Sequence, residues 1–258
     1  IDKFIFYIHI QNYDKALRIS TDLLNRMDAG MGRLQAVAGE ERVLELNGIL
    51  GGIFLAQNSK DYVLQADLYE LQLRRYFIRL QEDIISADGF TYDEALFENN
   101  RAIINQAAPE LCELIYRGTP PFALAQQGYE VEFSSSGLMT VALTDQAGRY
   151  YLHSNSRAGK EAFTLAASWY HEDIKHYIVY GFGLGYHIKE LIQLDSGIQV
   201  EVYESDLNIL KLAAAHTAIG GIMNYPAVRV IYDPRHLQML KRLEHLKEEE
   251  ERFVLHYP

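Results

Sequence analysis

The sequence predicts an α/β protein with a parallel sheet that is incomplete at the C-terminus, preceded by an all-helical N-terminal region and a small antiparallel β-meander. Three observations predict this fold. Apolar residues recur at helical spacing over residues 2–106, the pattern then changes to strict alternation, and from residue 177 apolar strands alternate with helices. With 258 residues, 48% hydrophobic and 23% charged, the chain has the composition of a soluble globular protein with a sizeable core.

The predicted helical N-terminal region covers residues 1–118. The segment from Tyr13 to Met27 places its apolar side chains on one stripe and its charges on the opposite face. Asn58-Ser59 offers an N-cap for a second long helix that continues to Leu80. These patterns are typical of a helical hairpin bundle.

A β-meander and linker is predicted over residues 119–156. Residues 129–133 and 138–143 alternate between apolar and polar, Ser, Gly and Asp mark turns at 134–137 and 145–148, and a third strand follows at 149–153. Three antiparallel strands follow from this pattern.

The last predicted domain, residues 157–258, alternates strands with helices. Strands are predicted at 177–180, 199–203, 228–232 and 253–256, and helices at 159–170, 186–194, 206–218 and 235–251. Right-handed crossovers then give a parallel, doubly wound sheet. Such sheets usually have more strands than these. We therefore expect a truncated domain, or a sheet edge that the meander, a partner or a second copy in a homo-oligomer covers.

The glycine turn after the first of these strands is the strongest sequence signal for a ligand. Gly181, Gly183 and Gly185 have the spacing G-x-G-x-G, and Tyr186 stands where a dinucleotide fingerprint has its last glycine. This departure favours a methyltransferase-like Rossmann domain over an NAD or flavin domain. Glu204 ends the second strand 23 residues after Gly181, a separation suited to a carboxylate that binds ribose hydroxyls. The alternative is that the glycines only permit a tight turn.

Further polar residues follow the strand ends, where ligands of such sheets bind. Asp206 and Asp233 are candidate cofactor-binding residues, although both positions also suit an acid that begins a helix. The catalytic residues are unknown from the sequence, and His256 and Tyr257 are the candidates after the fourth strand. His187 is interpreted as a surface histidine.

Composition excludes several classes of partner and site. The net charge of −11 argues against nucleic acid as the main partner. No apolar run reaches the roughly 18 residues of a membrane helix, so a cytoplasmic protein is expected.

Cys112, the only cysteine, is interpreted as a small buried residue. No metal is predicted, because the nine histidines are scattered in sequence. The run from Lys247 to Arg252 is interpreted as a solvated helix face.

Two stretches of the chain are YYLHSNSRAGKEAF from Tyr150 and YIVYGFGLGYHIKEL from Tyr177. They resemble sequences of the family of bacterial motility accessory factors and the related archaeal 6-hydroxymethylpterin diphosphokinases. The resemblance covers roughly residues 130–258, including the terminal HYP, and leaves the helical first hundred residues unmatched.

The resemblance implies a methyltransferase-like Rossmann domain that acts on nucleotide-activated substrates. It implies transfer of nonulosonic acids from cytidine-monophosphate sugars to serine or threonine of a flagellin-type protein acceptor. By position, Ser154 and Glu161 match the family stretch, as do the three glycines and Glu204. Where the family shows Asp-Pro, this chain has Arg157-Ala158.

Three functions remain open on the sequence alone. The first is a glycosyltransferase-like protein that binds a nucleotide-sugar. The second is an S-adenosylmethionine-dependent methyltransferase, with Glu204 on the ribose and Asp233 on the adenine amino group. The third is a non-catalytic interaction module.

Overall fold

A computed structural model describes residues 1–88, 92–145 and 148–256 of the chain. The chain divides into two units, Ile1–Phe90 and Thr91–Pro258. This division lies earlier than the boundary at residue 118 expected from the sequence, because the helices that follow residue 93 contact helices of the sheet unit.

The first unit is helical, as predicted. Its helices are α1 (Asp2–His9), α2 (Tyr13–Asn58), α3 (Tyr62–Asp67) and α4 (Arg74–Asp88), with a π-helical segment (Leu68–Leu73) between the last two. The long α2 is interrupted at Gly39, where φ is 79°. The cap predicted at Asn58-Ser59 is wrong, because α2 continues to Asn58 and Asp61 instead accepts a hydrogen bond from the Leu64 N–H at 2.9 Å.

The core of the first unit forms around the π-helical segment. Tyr69 is fully buried, its ring lies 4.3 Å from that of Phe4, and its hydroxyl lies 2.7 Å from the Ser20 hydroxyl. The apolar stripes of the helices therefore face one another, and the buried phenol keeps a hydrogen-bond partner.

The second unit contains two sheets, seven α-helices and one 3₁₀ helix among the residues described. In chain order it comprises α5 (Glu94–Ala107), α6 (Pro109–Tyr116), a 3₁₀ helix (Pro121–Gln127), β1 (Tyr129–Phe133), β2 (Met139–Asp145), β3 (Gly148–Tyr151), α7 (Ala158–Trp169), β4 (His176–Tyr180), α8 (Tyr186–Leu194), β5 (Gln199–Glu204), α9 (Leu207–His216), α10 (Gly220–Met223), β6 (Val228–Tyr232), α11 (Leu237–Leu243) and β7 (Glu251–Leu255). Cys112 is buried in α6, which confirms its interpretation.

The parallel sheet has the order β6-β5-β4-β7 among the described residues. All its pairs are parallel, with Tyr180 opposite both Tyr203 and Leu255. The central β4 is a continuous apolar run whose middle residues are buried, as is typical of a strand covered on both faces. The mixed α/β architecture with a Rossmann-like sheet is therefore confirmed. Its strand order reverses between β4 and β7, where ligands of such sheets bind.

Buried polar contacts attach the helices α5 and α6 to the sheet unit. The Asn100 side chain donates to the carbonyl oxygens of Ala214 and Thr217 at 2.7 and 2.8 Å. The buried Lys211 ammonium donates to the carbonyl oxygens of Arg117 and Thr119 at 3.0 and 2.7 Å. These bonds join α5 and the end of α6 to α9, which explains why the division precedes α5.

The smaller sheet is the predicted meander, with β1 antiparallel to β2 and β2 antiparallel to β3. One helix is shorter than predicted: α11 ends at Leu243 instead of continuing to 251. The interpretation of Lys247–Arg252 as a helix face is therefore wrong, because Glu251 and Arg252 begin β7.

Candidate functional site

The glycine turn connects β4 to α8 with a backbone that other residues do not readily adopt. The φ angles of Gly181, Gly183 and Gly185 are 92°, 54° and 82°. A side chain added at Gly181 would overlap the carbonyl oxygen of His256, and one added at Gly183 would lie 2.7 Å from Nε2 of His153. These two glycines therefore permit close packing against histidines of the same chain.

Glu204 lies at the end of β5, as predicted, and is 6% exposed. Its Oε2 accepts from the Phe182 N–H of the glycine turn at 2.8 Å, and its Oε1 accepts from the Asp206 N–H at 2.8 Å. Burial raises the pKa of Glu204, against the effect of these backbone hydrogen bonds. The carboxylate fixes the position of the turn, and its role toward ribose stays a prediction.

Asp206 and Asp233 lie at the same edge of the sheet and bind helix N-termini. Asp206 accepts from the Asn208 N–H at 2.8 Å and from the Tyr129 hydroxyl at 2.6 Å. Asp233 is buried and accepts from the N–H groups of Leu237 and Met239 at 3.1 and 2.9 Å. Both acids thus make the capping contacts that the sequence left open as an alternative, and their role as cofactor ligands stays a prediction.

Three buried histidines, His153, His187 and His256, lie where β4 and β7 end. One ring nitrogen of each lies within 4.8 Å of one ring nitrogen of both others. The rings of His187 and His256 stack with centroids 4.1 Å apart, and that of His153 lies 4.5 Å from His256. The interpretation of His187 as a surface residue is wrong, because it is fully buried.

The hydrogen bonds of His153 and His187 define which of their ring nitrogens carry protons. His153 Nε2 accepts from the Leu184 N–H at 2.9 Å, so its proton is on Nδ1. His187 Nε2 lies 3.0 Å from the Gly181 carbonyl oxygen, to which it donates. The Nδ1 atoms of His187 and His256 are buried without a hydrogen-bond partner among the residues that the structure describes.

Glu161, on the first turn of α7, borders this cluster. Its Oε1 lies 3.3 Å from His153 Nδ1 and 3.9 Å from His256 Nε2, and its Oε2 accepts from the Ser154 N–H at 2.7 Å. Partial burial raises the pKa of Glu161, but the hydrogen bonds from His153, His256 and Ser154 outweigh it and lower the pKa to about 2. Glu161 is therefore an anion whose side chain is 30% exposed, at the outer side of the cluster.

Burial keeps His153 and His187 neutral. It lowers the pKa of His153 to about 4, although the hydrogen bond with Glu161 acts in the opposite direction, and it lowers that of His187 as well. At neutral pH the site therefore presents imidazole lone pairs beside one carboxylate. Neutral imidazoles next to a carboxylate are suited to holding a metal ion or to exchanging a proton.

Sequence reasoning missed this cluster, because its members are 34 and 69 residues apart in the chain. Of the two catalytic candidates from the sequence, His256 is buried in the cluster, and Tyr257 lies outside the described residues. A signal was nevertheless present. The triplets LHS, GYH and HYP of the family resemblance each contain one of the three histidines.

A cavity of about 330 Å³ lies beside the start of α8. Gly185, Tyr186 and Lys189 line it from the turn and helix, and His216 lines it from the end of α9. Burial lowers the pKa of His216 to about 4, so this side chain is neutral at pH 7. The remaining wall comes from the β1–β2 turn and the start of α10.

The fold and the position of these groups define the second unit as a Rossmann-like α/β domain with polar residues at the carboxyl edge of its sheet. Among solved structures, the chain is similar to a MAf glycosyltransferase from Magnetospirillum magneticum AMB-1, with a TM-score of 0.48 and 12% sequence identity. The match covers 64% of this chain and 32% of that chain, so this chain spans about a third of its length. A likeness this distant does not indicate a shared activity.

No protein-family profile matches the chain, and no curated protein sequence matches it. Within residues 1–88, 92–145 and 148–256, no helix is both long enough and apolar enough for a membrane span.

Proposed function

We propose that the Rossmann-like domain binds a nucleotide with a phosphate at the start of α8. We further propose that the protein is related to glycosyltransferases of the motility accessory factor type, with a cytidine-monophosphate sugar as donor and a flagellin-type protein as acceptor. The cavity of about 330 Å³ beside Gly185 and Tyr186 is the observation that carries the proposal. Its volume is at the lower end of the range of small-ligand sites.

The electrostatics of the cavity support an anionic ligand. The first turn of α8 presents the positive end of a nine-residue helix, and Lys189 adds a cationic side chain one turn further on. In transfer from a cytidine-monophosphate sugar the nucleotide leaves with the charge of its phosphate. Positive groups fixed beside that phosphate stabilise the leaving group.

The methyltransferase alternative is less well supported. It requires Glu204 to accept hydrogen bonds from ribose hydroxyls, yet this carboxylate is 6% exposed and accepts main-chain hydrogen bonds on both oxygens. A ribose would have to compete with two bonds that hold the turn in place. The nucleotide-sugar is therefore the first ligand class to test.

Binding of cytidine monophosphate, a cytidine-monophosphate sugar and S-adenosylmethionine should be compared by calorimetry and thermal shift. At a hundred times the dissociation constant, occupancy stabilises the folded protein by about 2.7 kcal/mol. We expect binding of the cytidine compounds, and we expect Lys189→Met to weaken it about tenfold through loss of one charge near the phosphate.

The matched control is Lys241→Met, which removes an exposed lysine from α11 without touching the cavity. Binding of S-adenosylmethionine alone would favour the methyltransferase. Absence of affinity for all three compounds would contradict the proposal and favour the interaction module.

A further inference from the structure

The unpartnered nitrogens of His187 and His256 are unusual, because buried polar atoms in folded proteins nearly always have a hydrogen-bond partner. The exposed fractions of these side chains are 0% and 4%. Their Nδ1 atoms are among the few buried side-chain atoms without a partner in the described part of the chain. A ligand that binds these two nitrogens would explain why they are buried without a partner.

We propose that His153, His187 and His256 bind one divalent transition-metal ion of the Zn²⁺ class, with Glu161 beside it. The ring nitrogens that converge within 4.8 Å form the site. Imidazole ligands suit Zn²⁺, Ni²⁺ and Cu²⁺ more than Mg²⁺ or Ca²⁺, which prefer oxygen. This inference departs from the expectation of no metal drawn from the sequence, and it does not depend on nucleotide binding.

The outer contacts of the histidines match those of metal ligands. A ligating histidine commonly donates its other N–H to a backbone carbonyl or a carboxylate, which fixes the ring and its tautomer. Nε2 of His187 lies 3.0 Å from the Gly181 carbonyl oxygen, and Nε2 of His256 faces the Glu161 carboxylate at 3.9 Å. Both rings are thus arranged with Nδ1 available for an ion.

His153 is the third ligand, but it must lose a hydrogen bond to bind the ion. Its Nε2 lies 2.9 Å from the Leu184 N–H, and its Nδ1 faces Glu161. To ligate the ion through Nε2, the ring gives up the bond to Leu184 and keeps the one to Glu161. We therefore assign His187 and His256 as the stronger ligands and His153 as the third.

The stacked rings must move when the ion binds. The lone pair of an imidazole lies in the ring plane, and the planes of His187 and His256 are 8° from parallel. Lone pairs in such parallel planes do not meet at one ion. Metal binding therefore turns the His256 ring, by rotation about the soft torsion next to it, because the Gly181 carbonyl oxygen holds Nε2 of His187 at 3.0 Å whereas Nε2 of His256 lies 3.9 Å from Glu161.

Glu161 connects the buried site to solvent and supplies a negative charge beside the metal ion. Its side chain is 30% exposed, whereas the histidines beneath it are buried. Its carboxylate can accept the ion from solvent and then remain as a fourth ligand or as a hydrogen-bond partner of the rings. Three imidazoles and one carboxylate match the coordination number of four that Zn²⁺ prefers.

The test is a calorimetric titration of tag-free protein with Zn²⁺, repeated with Co²⁺, whose visible absorption reports the coordination geometry. We expect one ion per chain and a tetrahedral cobalt spectrum. His187→Ala and His256→Ala should each weaken the affinity by about a hundredfold or more, and Glu161→Gln by about tenfold to a hundredfold.

The matched control is His245→Ala, which removes an exposed histidine outside the cluster and should leave the titration unchanged. Circular dichroism establishes that each variant is folded. If a variant does not fold, the wild-type protein still decides the matter, because unchanged ¹⁵N resonances of His187 and His256 in excess Zn²⁺ would overturn the proposal. Binding that survives both alanine substitutions in folded protein would overturn it as well.

Discussion

The parallel sheet has an amino edge, where its strands begin, and a carboxyl edge, where its strands end. Both edges carry histidines and carboxylates, but they differ in whether those groups have partners. At the amino edge, Arg242 bonds to Glu201 at 3.2 Å and to Glu251 at 2.6 Å. His176 lies 3.4 Å from Glu201 and 3.2 Å from Glu251. At the carboxyl edge, two histidine nitrogens are buried without a partner within the described ranges.

This difference distinguishes a structural network from a binding site. Groups that satisfy one another stabilise the fold and leave nothing for a ligand. Groups kept buried and unsatisfied cost free energy, and folded proteins accept this cost chiefly at functional sites. The carboxyl edge is also where ligands bind in sheets with this strand order.

The largest expected effect is that of Gly181→Ala at the carboxyl edge. The added methyl group would overlap the His256 carbonyl oxygen, and the φ of 92° strains any residue with a side chain. We expect a loss of about 3 kcal/mol or more in the free energy of unfolding, measured by chemical denaturation. Gly221→Ala is the control, because its methyl group meets nothing within 4 Å. Equal stability of the two variants would show that the turn is not packed as described.

The next effect is that of Arg242→Met at the amino edge. Removal of the guanidinium leaves Glu201 and Glu251, two partly buried carboxylates, without their cation. Because the pairs are neither fully buried nor fully exposed, we expect a loss of about 2 kcal/mol. Arg26→Met removes the exposed pair with Asp22 and should cost less than about 0.5 kcal/mol. A cost as small as that of the control would mean that the amino-edge network does not stabilise the fold.

Acid should weaken the same network. Arg242 lowers the pKa of Glu251 to about 2, from an ordinary value of 4.5. The stabilisation from this carboxylate is complete above pH 4.5 and disappears as the pH falls through 2, because the unfolded chain takes up the proton first. Glu161 titrates in the same range, so the measurement is the difference between wild type and Glu251→Gln in unfolding free energy from pH 6 down to about 2. A difference that does not change with pH would contradict the assignment.

The smallest effect is expected for His256→Leu at the carboxyl edge. Leucine replaces an imidazole whose Nδ1 has no partner in the described structure by an apolar group of similar size. We expect the metal-free protein to change by less than about 1 kcal/mol in unfolding free energy. A loss of 2 kcal/mol or more would show that the ring is a structural element like Arg242.

The sequence predicted the parts of the fold that depend on periodicity. Strand β4, the meander and the helical first unit follow from apolar spacing over neighbouring residues, which a linear pattern contains. The end of α11 at Leu243 could not be predicted in this way, since Glu251 joins β7 through its pairing with β4 and with Arg242. That contact is made only in the folded chain.

The candidate site was predicted in part. The glycine turn and Glu204 lie at the predicted edge, but the sequence did not show that the glycines pack against His153 and His256. The histidine cluster brings together His187 at the start of α8, His153 after β3 and His256 after β7, and no local spacing encodes it. Glu161 was marked only by the family resemblance.

The most direct test of the difference between the edges is two-dimensional ¹⁵N NMR of the histidine side chains, recorded on the tag-free protein with and without one equivalent of Zn²⁺. We predict that the Nδ1 resonances of His187 and His256 change on metal addition, while those of His176 at the amino edge stay unchanged. A change confined to His176, or no change at His187 and His256, would contradict the claim that the unpartnered histidines of the carboxyl edge form a ligand site.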